Sequence, residues 1–271
     1  PNAMARSLTL NRSNLIALVT IDVVNPHYNA MINMIADRVH KIGRELLYFV
    51  SEEEKNLDEI IAQVFQYRVD GIIVHSAAIS PNMAAECEKN QIPVVVFNKY
   101  TVNKNVMTVC SDNVRAGWMA ANHFYDKGCR NFAFIGSHTF LSTSKDRLRG
   151  FTDALYEKGI ENCISKMVPY TYKAGAAAVR EILNEQKDID AIFCAGDLLA
   201  LGAMDAIKYE YGLKIPEDIA IIGFDNIEAA SWPPYTLTTF EQQIDKMLDS
   251  AFNYLSKKLN GEAADEGVEL F

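Results

Sequence analysis

Two motifs, AIFCAGD at residues 191–197 and IPEDIAIIGFD at residues 215–225, set the architecture of this chain. Each contains a short, continuous run of apolar and β-branched residues, which is typical of a strand that is buried on both faces. The sequence between them predicts a helix over residues 198–210 that ends near Gly212. Because a strand, a helix and a second strand follow one another at this spacing, the region predicts parallel strands joined by a right-handed crossover.

The same alternation extends along most of the chain. Apolar runs predict further strands at residues 15–21, 46–50, 70–75, 93–97, 107–110, 132–135 and 164–168. Apolar residues at helical spacing predict helices at residues 27–41, 57–65, 81–89, 113–127, 144–158, 174–184 and 242–259. About ten strand–helix units exceed one doubly wound sheet, so we expect two lobes.

The expected fold is therefore α/β, with a parallel sheet flanked by helices in each lobe and a ligand cleft between the lobes. We place one lobe at residues 14–110 plus 241–260 and the other at residues 111–240 plus 261–271. Ligands of such folds bind at the carboxyl ends of the strands. The predicted strands are followed by carboxylates, amides, an arginine and aromatic rings, which together suit a polyhydroxylated or heterocyclic ligand.

The composition argues against several classes of protein. The 271 residues are 49% hydrophobic and 23% charged, which is a globular balance and not that of a disordered chain or a coiled coil. No apolar run reaches the ~18 residues of a transmembrane helix, and the first residues lack the apolar segment of a signal peptide. A net charge of −9 argues against holding nucleic acid by charge alone. Five cysteines without a CxxC pair predict reduced thiols and a cytoplasmic protein.

Motifs for catalysis are missing from the sequence. It contains no phosphate-binding GxxxxGK[ST] loop, no GxGxxG after the first strand, no GxSxG nucleophile elbow and no HExxH. The cysteines and histidines form no cluster with the spacing of zinc ligands. We therefore expect a protein that is not an enzyme and that uses no cofactor and no metal.

Taken in order, several segments resemble the LacI (lactose-repressor) family of bacterial transcription regulators along essentially the whole chain. The most specific are the two motifs quoted above. The others lie at residues 1–8, 16–28, 68–73, 92–95, 111–113, 147–151 and 237–239. The resemblance implies a two-lobed, periplasmic-binding-protein-like (type I) core that binds a small effector and forms a homodimer. It also implies operator DNA as a partner, through a helix-turn-helix head that we expect to precede residue 1.

Residues 1–13 resemble the hinge that joins head and core in this family. The resemblance implies that Leu8 wedges into a base step in the minor groove, where unstacking is offset by the contacts of bent DNA. Arg6 would then contact phosphates. An unstructured tail is the alternative for this segment, and Pro1–Ala3 are either native residues or the remnant of a tag.

The resemblance also implies which residues bind the effector. Asp225 matches an aspartate that accepts hydrogen bonds from the ligand, with a turn cap as the alternative. Arg147 matches an arginine that reaches into the cleft, with a structural ion pair as the alternative. His27 and Tyr28 match positions that place a ring or a polar group over the ligand, and we expect one of the two to face the cleft. Tyr170 matches a stacking aromatic ring, with core packing as the alternative.

Other candidate residues depart from the family pattern or contribute less. Asn98 and Lys99 replace a common Asp-Arg pair, so a lysine point charge stands where the family has a guanidinium fork. Gly196 replaces an asparagine, which removes an amide from the site. Asp197 either contacts the ligand or caps its own helix. The lesser candidates are Ser76, Thr143 and Gln242.

The sequence therefore predicts the effector-binding and dimerisation core of a LacI-type transcriptional regulator, expected to be a repressor. The effector is predicted to be a small polar metabolite such as a sugar or a sugar derivative. An exported sugar-binding protein of a transport system is the alternative, and it would carry a signal peptide and be monomeric. The sequence leaves open the identity of the effector, its effect on DNA binding, the operator, and whether the protein is a dimer or a tetramer.

Overall fold

The computed structural model describes residues 13–21, 25–51, 56–101, 106–138 and 141–271. These residues form two compact units. The first unit contains the described residues before 23 together with residues 28–111 and 243–271. The second contains residues 25–27 and 112–242. The predicted hinge residues Arg6 and Leu8 lie outside the described part of the chain.

A parallel sheet forms the centre of the first unit. Within the described residues its strands are β1 (Leu15–Ile21), β2 (Glu45–Ser51), β3 (Gly71–His75), β4 (Val94–Phe97), β5 (Met107–Cys110) and β11 (Gly267–Leu270). They lie in the order β11-β5-β4-β3-β1-β2, and all neighbours pair in parallel. The helices of this unit are α1 (Pro26–Lys41), α2 (Leu57–Val64), α3 (Pro81–Lys89) and α8 (Ile244–Leu259).

The second unit repeats this architecture with a smaller parallel sheet. Within the described residues its strands are β6 (Phe132–Ser137), β7 (Cys163–Val168), β8 (Ala191–Cys194), β9 (Ala220–Phe224) and β10 (Thr238–Phe240). They lie in the order β10-β9-β8-β6-β7, again in parallel. The helices are α4 (Asn113–Asp126), α5 (Leu141–Glu157), α6 (Tyr172–Glu185) and α7 (Asp197–Asp205). The α/β class with two parallel sheets is thus confirmed.

Burial along the strands explains why the sequence predicts them well. The strands in the middle of the first sheet are apolar and buried along nearly their whole length, as helices on both faces of a parallel sheet require. In contrast, the edge strand β2 is only partly buried, and Tyr48 and Val50 are exposed. None of the described helices is both long and apolar enough to span a membrane.

The pair α4 and α5 is packed unusually closely. A Cβ atom on Gly117 would lie 2.0 Å from the backbone oxygen of Arg147, and one on Gly150 would lie 1.9 Å from that of Val114. Only glycine permits such an approach of two backbones. The contact therefore fixes the backbone of Arg147 against α4, the helix that begins at Asn113.

The end of the chain corrects the predicted division into lobes. The sequence-based assignment of residues 261–271 to the second lobe is wrong, because β11 pairs in parallel with β5 of the first sheet. A strand of four residues carries too weak a pattern to reveal its partner. The predicted boundary also puts Gln242 in the first lobe, whereas it belongs to the second unit.

Candidate functional site

A buried carboxylate lies at the carboxyl end of β9 in the second unit. Asp225 is 6% exposed and accepts hydrogen bonds from three buried side chains. The Asn25 amide and the Tyr170 hydroxyl donate to its Oδ2 over 3.1 and 3.2 Å, and the Gln242 amide donates to its Oδ1 over 2.8 Å. Burial of a carboxylate is costly without such donors. We call these four residues, with His27, the Asp225 cluster.

Separate loops bring the donors of the Asp225 cluster together. Asn25 directly precedes α1, Tyr170 lies between β7 and α6, and Gln242 lies between β10 and α8. The backbone N–H of Asp225 donates to the carbonyl of Phe240 over 2.9 Å, which extends the pairing of β9 with β10. The carboxyl ends of parallel strands thus gather side chains that are far apart in the sequence.

The backbone at Asp225 is strained. Its φ angle is +117°, and that of Asn226 is +51°. Positive φ angles are uncommon for residues with a side chain and cost on the order of 1–3 kcal/mol in sparsely populated regions. Such strain is typical of functional sites, where the surrounding structure holds one side chain in a required position.

His27 joins the cluster through Gln242. The Gln242 amide nitrogen lies 2.8 Å from the Asp225 carboxylate and 3.2 Å from His27 Nε2. Since the amide donates one hydrogen to the carboxylate and the other to the ring, His27 Nε2 is the acceptor and carries no proton. Burial lowers the pKa of His27; the Asp225 charge opposes this shift and the Arg147 charge adds to it. His27 is therefore a neutral member of the cluster.

Arg147 is the buried cation of the second unit, and it is held on several sides. Its Nε donates to Asn113 Oδ1 over 2.8 Å, and its Nη1 donates to the carbonyl of Ala195. The guanidinium carbon lies 3.4 Å from the centroid of the Phe224 ring, which is a close cation–π contact. This arrangement fixes the planar guanidinium fork of Arg147 over the ring of Phe224. Phe224 directly precedes Asp225 in the sequence.

Asp197 is bound to groups of the chain itself, so the alternative of a cap on its own helix is wrong, and the ligand contact stays a prediction. The side chain is fully buried and accepts from the backbone N–H of Ile227 over 2.8 Å and from the Thr239 hydroxyl over 2.6 Å. It makes no capping bond in α7, whose N-cap residue is Gly196. Burial, and then the charge of Asp225, raises the pKa of Asp197 to about 7. Asp197 therefore fastens the segment after β9 to β10.

Tyr170 occupies space that a side chain at position 196 would need. A Cβ atom on Gly196 would lie 2.5 Å from both Cε2 and the hydroxyl oxygen of Tyr170. Tyr170 is 5% exposed and also packs against the core of the second unit. The ring of Tyr170 therefore packs in the core, and its hydroxyl bonds to Asp225.

Several other candidates lie in the first unit, around a buried histidine. His75 Nδ1 lies 3.3 Å from Thr20 Oγ1, and its Nε2 lies 3.2 Å from Ser76 Oγ and 2.9 Å from Met31 Sδ. The Tyr28 ring meets the His75 ring edge-on at 4.8 Å. Of the pair His27 and Tyr28, the structure thus packs Tyr28 into the first unit, while His27 joins the Asp225 cluster.

Four predicted site residues remain, namely Ser76, Asn98, Lys99 and Thr143. Ser76 and Asn98 are buried after β3 and β4, with φ angles of +56° and +59°. Lys99 is half-buried beside Asn98, and Thr143 is half-buried near the start of α5. No metal-binding group of three or more His, Cys, Asp or Glu side chains occurs among the described residues.

Sequence reasoning missed three residues of these networks. Asn25, Asn113 and His75 bind Asp225, Arg147 and Ser76 respectively. His75 ends the buried strand β3, Asn25 directly precedes α1 and Asn113 begins α4, so each lies at the end of an element. Nevertheless, an amide after a strand is also common in turns, and only the tertiary structure identifies its partner.

The second unit thus combines one acceptor-rich group with several donors and rings. Asp225 accepts, Arg147 and Gln242 donate, and the rings of Tyr170 and Phe224 are buried beside them. Charge-assisted hydrogen bonds beside ring faces recognise small polar molecules. These groups therefore form a candidate binding site.

The comparisons with known proteins agree with the fold. The family model described as "periplasmic binding protein-like domain" matches residues 121–270. The HTH-type transcriptional repressor PurR of Edwardsiella ictaluri (strain 93-146) is 29% identical over 98% of this chain and 79% of its own length.

Two solved structures share the fold. A periplasmic binding protein/LacI transcriptional regulator from Alkaliphilus metalliredigens QYMF, complexed with D-xylulofuranose, is 27% identical with a TM-score of 0.81, over 95% of both chains. The lac repressor dimer bound to operator and the anti-inducer ONPF is 22% identical with a TM-score of 0.86, over 100% of this chain and 95% of its own. This chain belongs to the periplasmic binding protein-like family and is similar to LacI-type transcriptional regulators over nearly its whole length.

Proposed function

We propose that this core senses a small polar metabolite, a sugar or a sugar derivative, through the Asp225 cluster. The observation that carries the proposal is the bonding of Asp225: a buried carboxylate at a strand end accepts only from side chains, on a strained backbone. A ligand hydroxyl can bond to the remaining acceptor position of this carboxylate without breaking the chain's own backbone hydrogen bonds. Asp225 is therefore the group that an effector would engage first.

The chemistry of the neighbours supports a polyhydroxylated ligand. A carboxylate and a guanidinium form the strongest hydrogen bonds available to neutral hydroxyl groups, and aromatic rings cover the apolar face of a sugar. Asp225 and Arg147 supply the two charged groups in the second unit. The relative from Alkaliphilus metalliredigens is complexed with D-xylulofuranose, a ligand of this class.

Control of transcription would follow from differential binding. An effector that binds one conformation of the core more tightly than another shifts the equilibrium between them, and DNA affinity changes by the same coupling free energy. We propose that the core acts as a homodimer in the cytoplasm and that operator DNA is bound through a head and a hinge. This fits the net charge of −9, which does not favour DNA binding by the core itself.

The proposal is tested by a thermal-shift screen of the chain against sugars, sugar phosphates, polyols and purines. A compound at ~100 times its Kd adds about 2.7 kcal/mol to the stability of the folded state. We expect a sugar to raise the Tm of the unaltered chain, and the shift to vanish in Asp225→Ala and Arg147→Ala. The compound should be recovered unchanged, because no catalysis is expected.

The matched control is Asp190→Ala, which removes a carboxylate of the same unit that binds the backbone N–H groups of Arg130 and Asn131. Its thermal shift should equal that of the unaltered chain. A sugar that shifts Asp225→Ala as strongly as the unaltered chain would contradict the proposed site. A screen without any hit would contradict the proposed effector class.

A further inference from the structure

We infer that Tyr170 limits Asp225 to a single hydrogen bond from the effector, so that this core selects ligands that present one donor there over ligands that present two adjacent hydroxyls. The inference rests on the proposed function and concerns the specificity of the same site. It follows from the number of hydrogen bonds that the Asp225 carboxylate already accepts.

The Asp225 carboxylate can accept only a limited number of hydrogen bonds. An ionised carboxylate offers about four acceptor positions, two on each oxygen. Within the described residues, Oδ2 accepts from Asn25 and Tyr170, whereas Oδ1 accepts from Gln242 alone. Oδ2 is therefore saturated, and one position remains on Oδ1. A pair of adjacent hydroxyls that binds both oxygens needs a position on each.

The three donors to Asp225 are buried and fixed in place. Asn25, Tyr170 and Gln242 are 2%, 5% and 6% exposed. The Asn25 Oδ1 atom accepts from the backbone N–H of His27 over 3.0 Å, which orients its amide nitrogen towards Asp225. The second hydrogen of the Gln242 amide is directed at His27 Nε2. Neither amide can turn away from the carboxylate without losing a second hydrogen bond.

Tyr170 differs from the other two donors because its position depends on the glycine at residue 196. Its ring lies against the backbone of Gly196, where a Cβ atom would come within 2.5 Å of the ring and of the hydroxyl oxygen. The absence of a side chain at position 196 thus allows the hydroxyl to reach Asp225 Oδ2. Removal of this one oxygen atom frees an acceptor position and leaves the ring in its packing. Tyr170 is therefore a specificity-determining residue.

The test compares the unaltered chain with Tyr170→Phe by isothermal titration calorimetry. The probes are ribose, xylulose and galactose, each beside deoxy analogues that lack one hydroxyl of an adjacent pair. A hydrogen bond to a charged group contributes ~1.5–3 kcal/mol, and ~1.4 kcal/mol corresponds to a tenfold change in Kd. For at least one pair, we expect Tyr170→Phe to raise the affinity for the diol over the deoxy analogue about tenfold.

The control is Tyr172→Phe, which removes the same atom from a tyrosine whose hydroxyl binds Asp205. It should leave every ratio of diol to deoxy affinity unchanged. If Tyr170→Phe also leaves these ratios unchanged, or abolishes binding as Asp225→Ala does, the inference is overturned while the proposed function stands. If no sugar in the wider screen binds the unaltered chain or Tyr170→Phe, the proposed function fails, and the inference fails with it.

Discussion

Asp70 in the first unit and Asp225 in the second are both well-bonded carboxylates, but they hold different kinds of partner. Asp70 directly precedes β3 and accepts from the backbone N–H groups of Ser13 and Asn14, over 3.1 and 3.0 Å, and from the Ser13 hydroxyl and Arg44. Asp225 directly follows β9 and, within the described residues, accepts only from side chains. A carboxylate that binds backbone groups holds the chain in place, whereas the backbone does not depend on Asp225, so we expect a ligand to be able to bond to it.

A second pair of residues follows the same rule. Asp190, which precedes β8, accepts from the backbone N–H groups of Arg130 and Asn131. Asp197, which follows β8, nevertheless binds the backbone N–H of Ile227 and is fully buried. We therefore expect the kind of partner, rather than the end of the strand, to separate structural carboxylates from those that bind a ligand.

The largest expected effect on stability comes from Asp70→Ala. The side chains of Arg44 and Asp70 are 10% and 11% exposed, so the substitution leaves a nearly buried cation without its partner and frees the backbone at Ser13. Breaking a buried pair by removing one partner costs ~3–5 kcal/mol. We expect the free energy of unfolding, measured by urea denaturation, to fall by about 3 kcal/mol.

Asp190→Ala provides the comparison for that measurement. Its partners are mostly exposed backbone groups, so a loss of only about 1 kcal/mol is expected. An Asp70→Ala chain as stable as the unaltered one would break the distinction between carboxylates that hold the chain and those that bind ligands.

A smaller effect is expected from Gly196→Ala. The new methyl group would meet the Tyr170 ring at 2.5 Å, and forcing extra volume into a packed site costs ~1–3 kcal/mol. We expect the free energy of unfolding to fall by about 2 kcal/mol in a urea titration. In a Tyr170→Ala background the ring is gone, so the same substitution should cost much less. Equal costs in both backgrounds would show that Gly196 and Tyr170 are not coupled.

The smallest of these effects is a pH dependence at Asp197. Its pKa is about 7 in the folded protein, against an ordinary value of 3.8, so the folded chain keeps a proton that the unfolded chain loses in that window. The free energy of unfolding therefore falls as pH rises from about 4 to 7. Asp197→Asn does not titrate, and between pH 6 and 7 it should lose about 1 kcal/mol less stability than the unaltered chain. Parallel stability curves would contradict the shifted pKa.

The sequence predicts the fold because its signals are local. The buried strands β1, β3, β4, β8 and β9 are apolar runs that alternate with helical patterns, which suffices for two parallel sheets. Asp225 can be predicted as well, since it is the first polar residue after β9. The partner of β11 cannot, because a four-residue strand has no periodicity that points to β5.

The site is harder to predict because its contacts join distant residues. Asn25 and Asp225 are 200 positions apart, and Thr239 and Asp197 are 42 positions apart. No local pattern tells whether Asp197 faces a ligand or Thr239, so its burial becomes visible only in the folded chain. The contact of Tyr170 with Gly196 likewise depends on how the β7–α6 loop lies against the end of β8.

The different roles of Asp225 and Asp70 are tested most directly by measuring binding and stability in both Asp225→Asn and Asp70→Asn. Binding is measured by calorimetry with the sugar that gives the largest thermal shift, and stability by urea denaturation. We expect Asp225→Asn to lose about 100-fold in affinity, equivalent to ~2.7 kcal/mol, and less than ~1 kcal/mol in stability. Asp70→Asn should lose about 2 kcal/mol in stability and keep its affinity. Loss of affinity in both variants, or in neither, would contradict the claim that Asp225 binds the effector while Asp70 holds the chain.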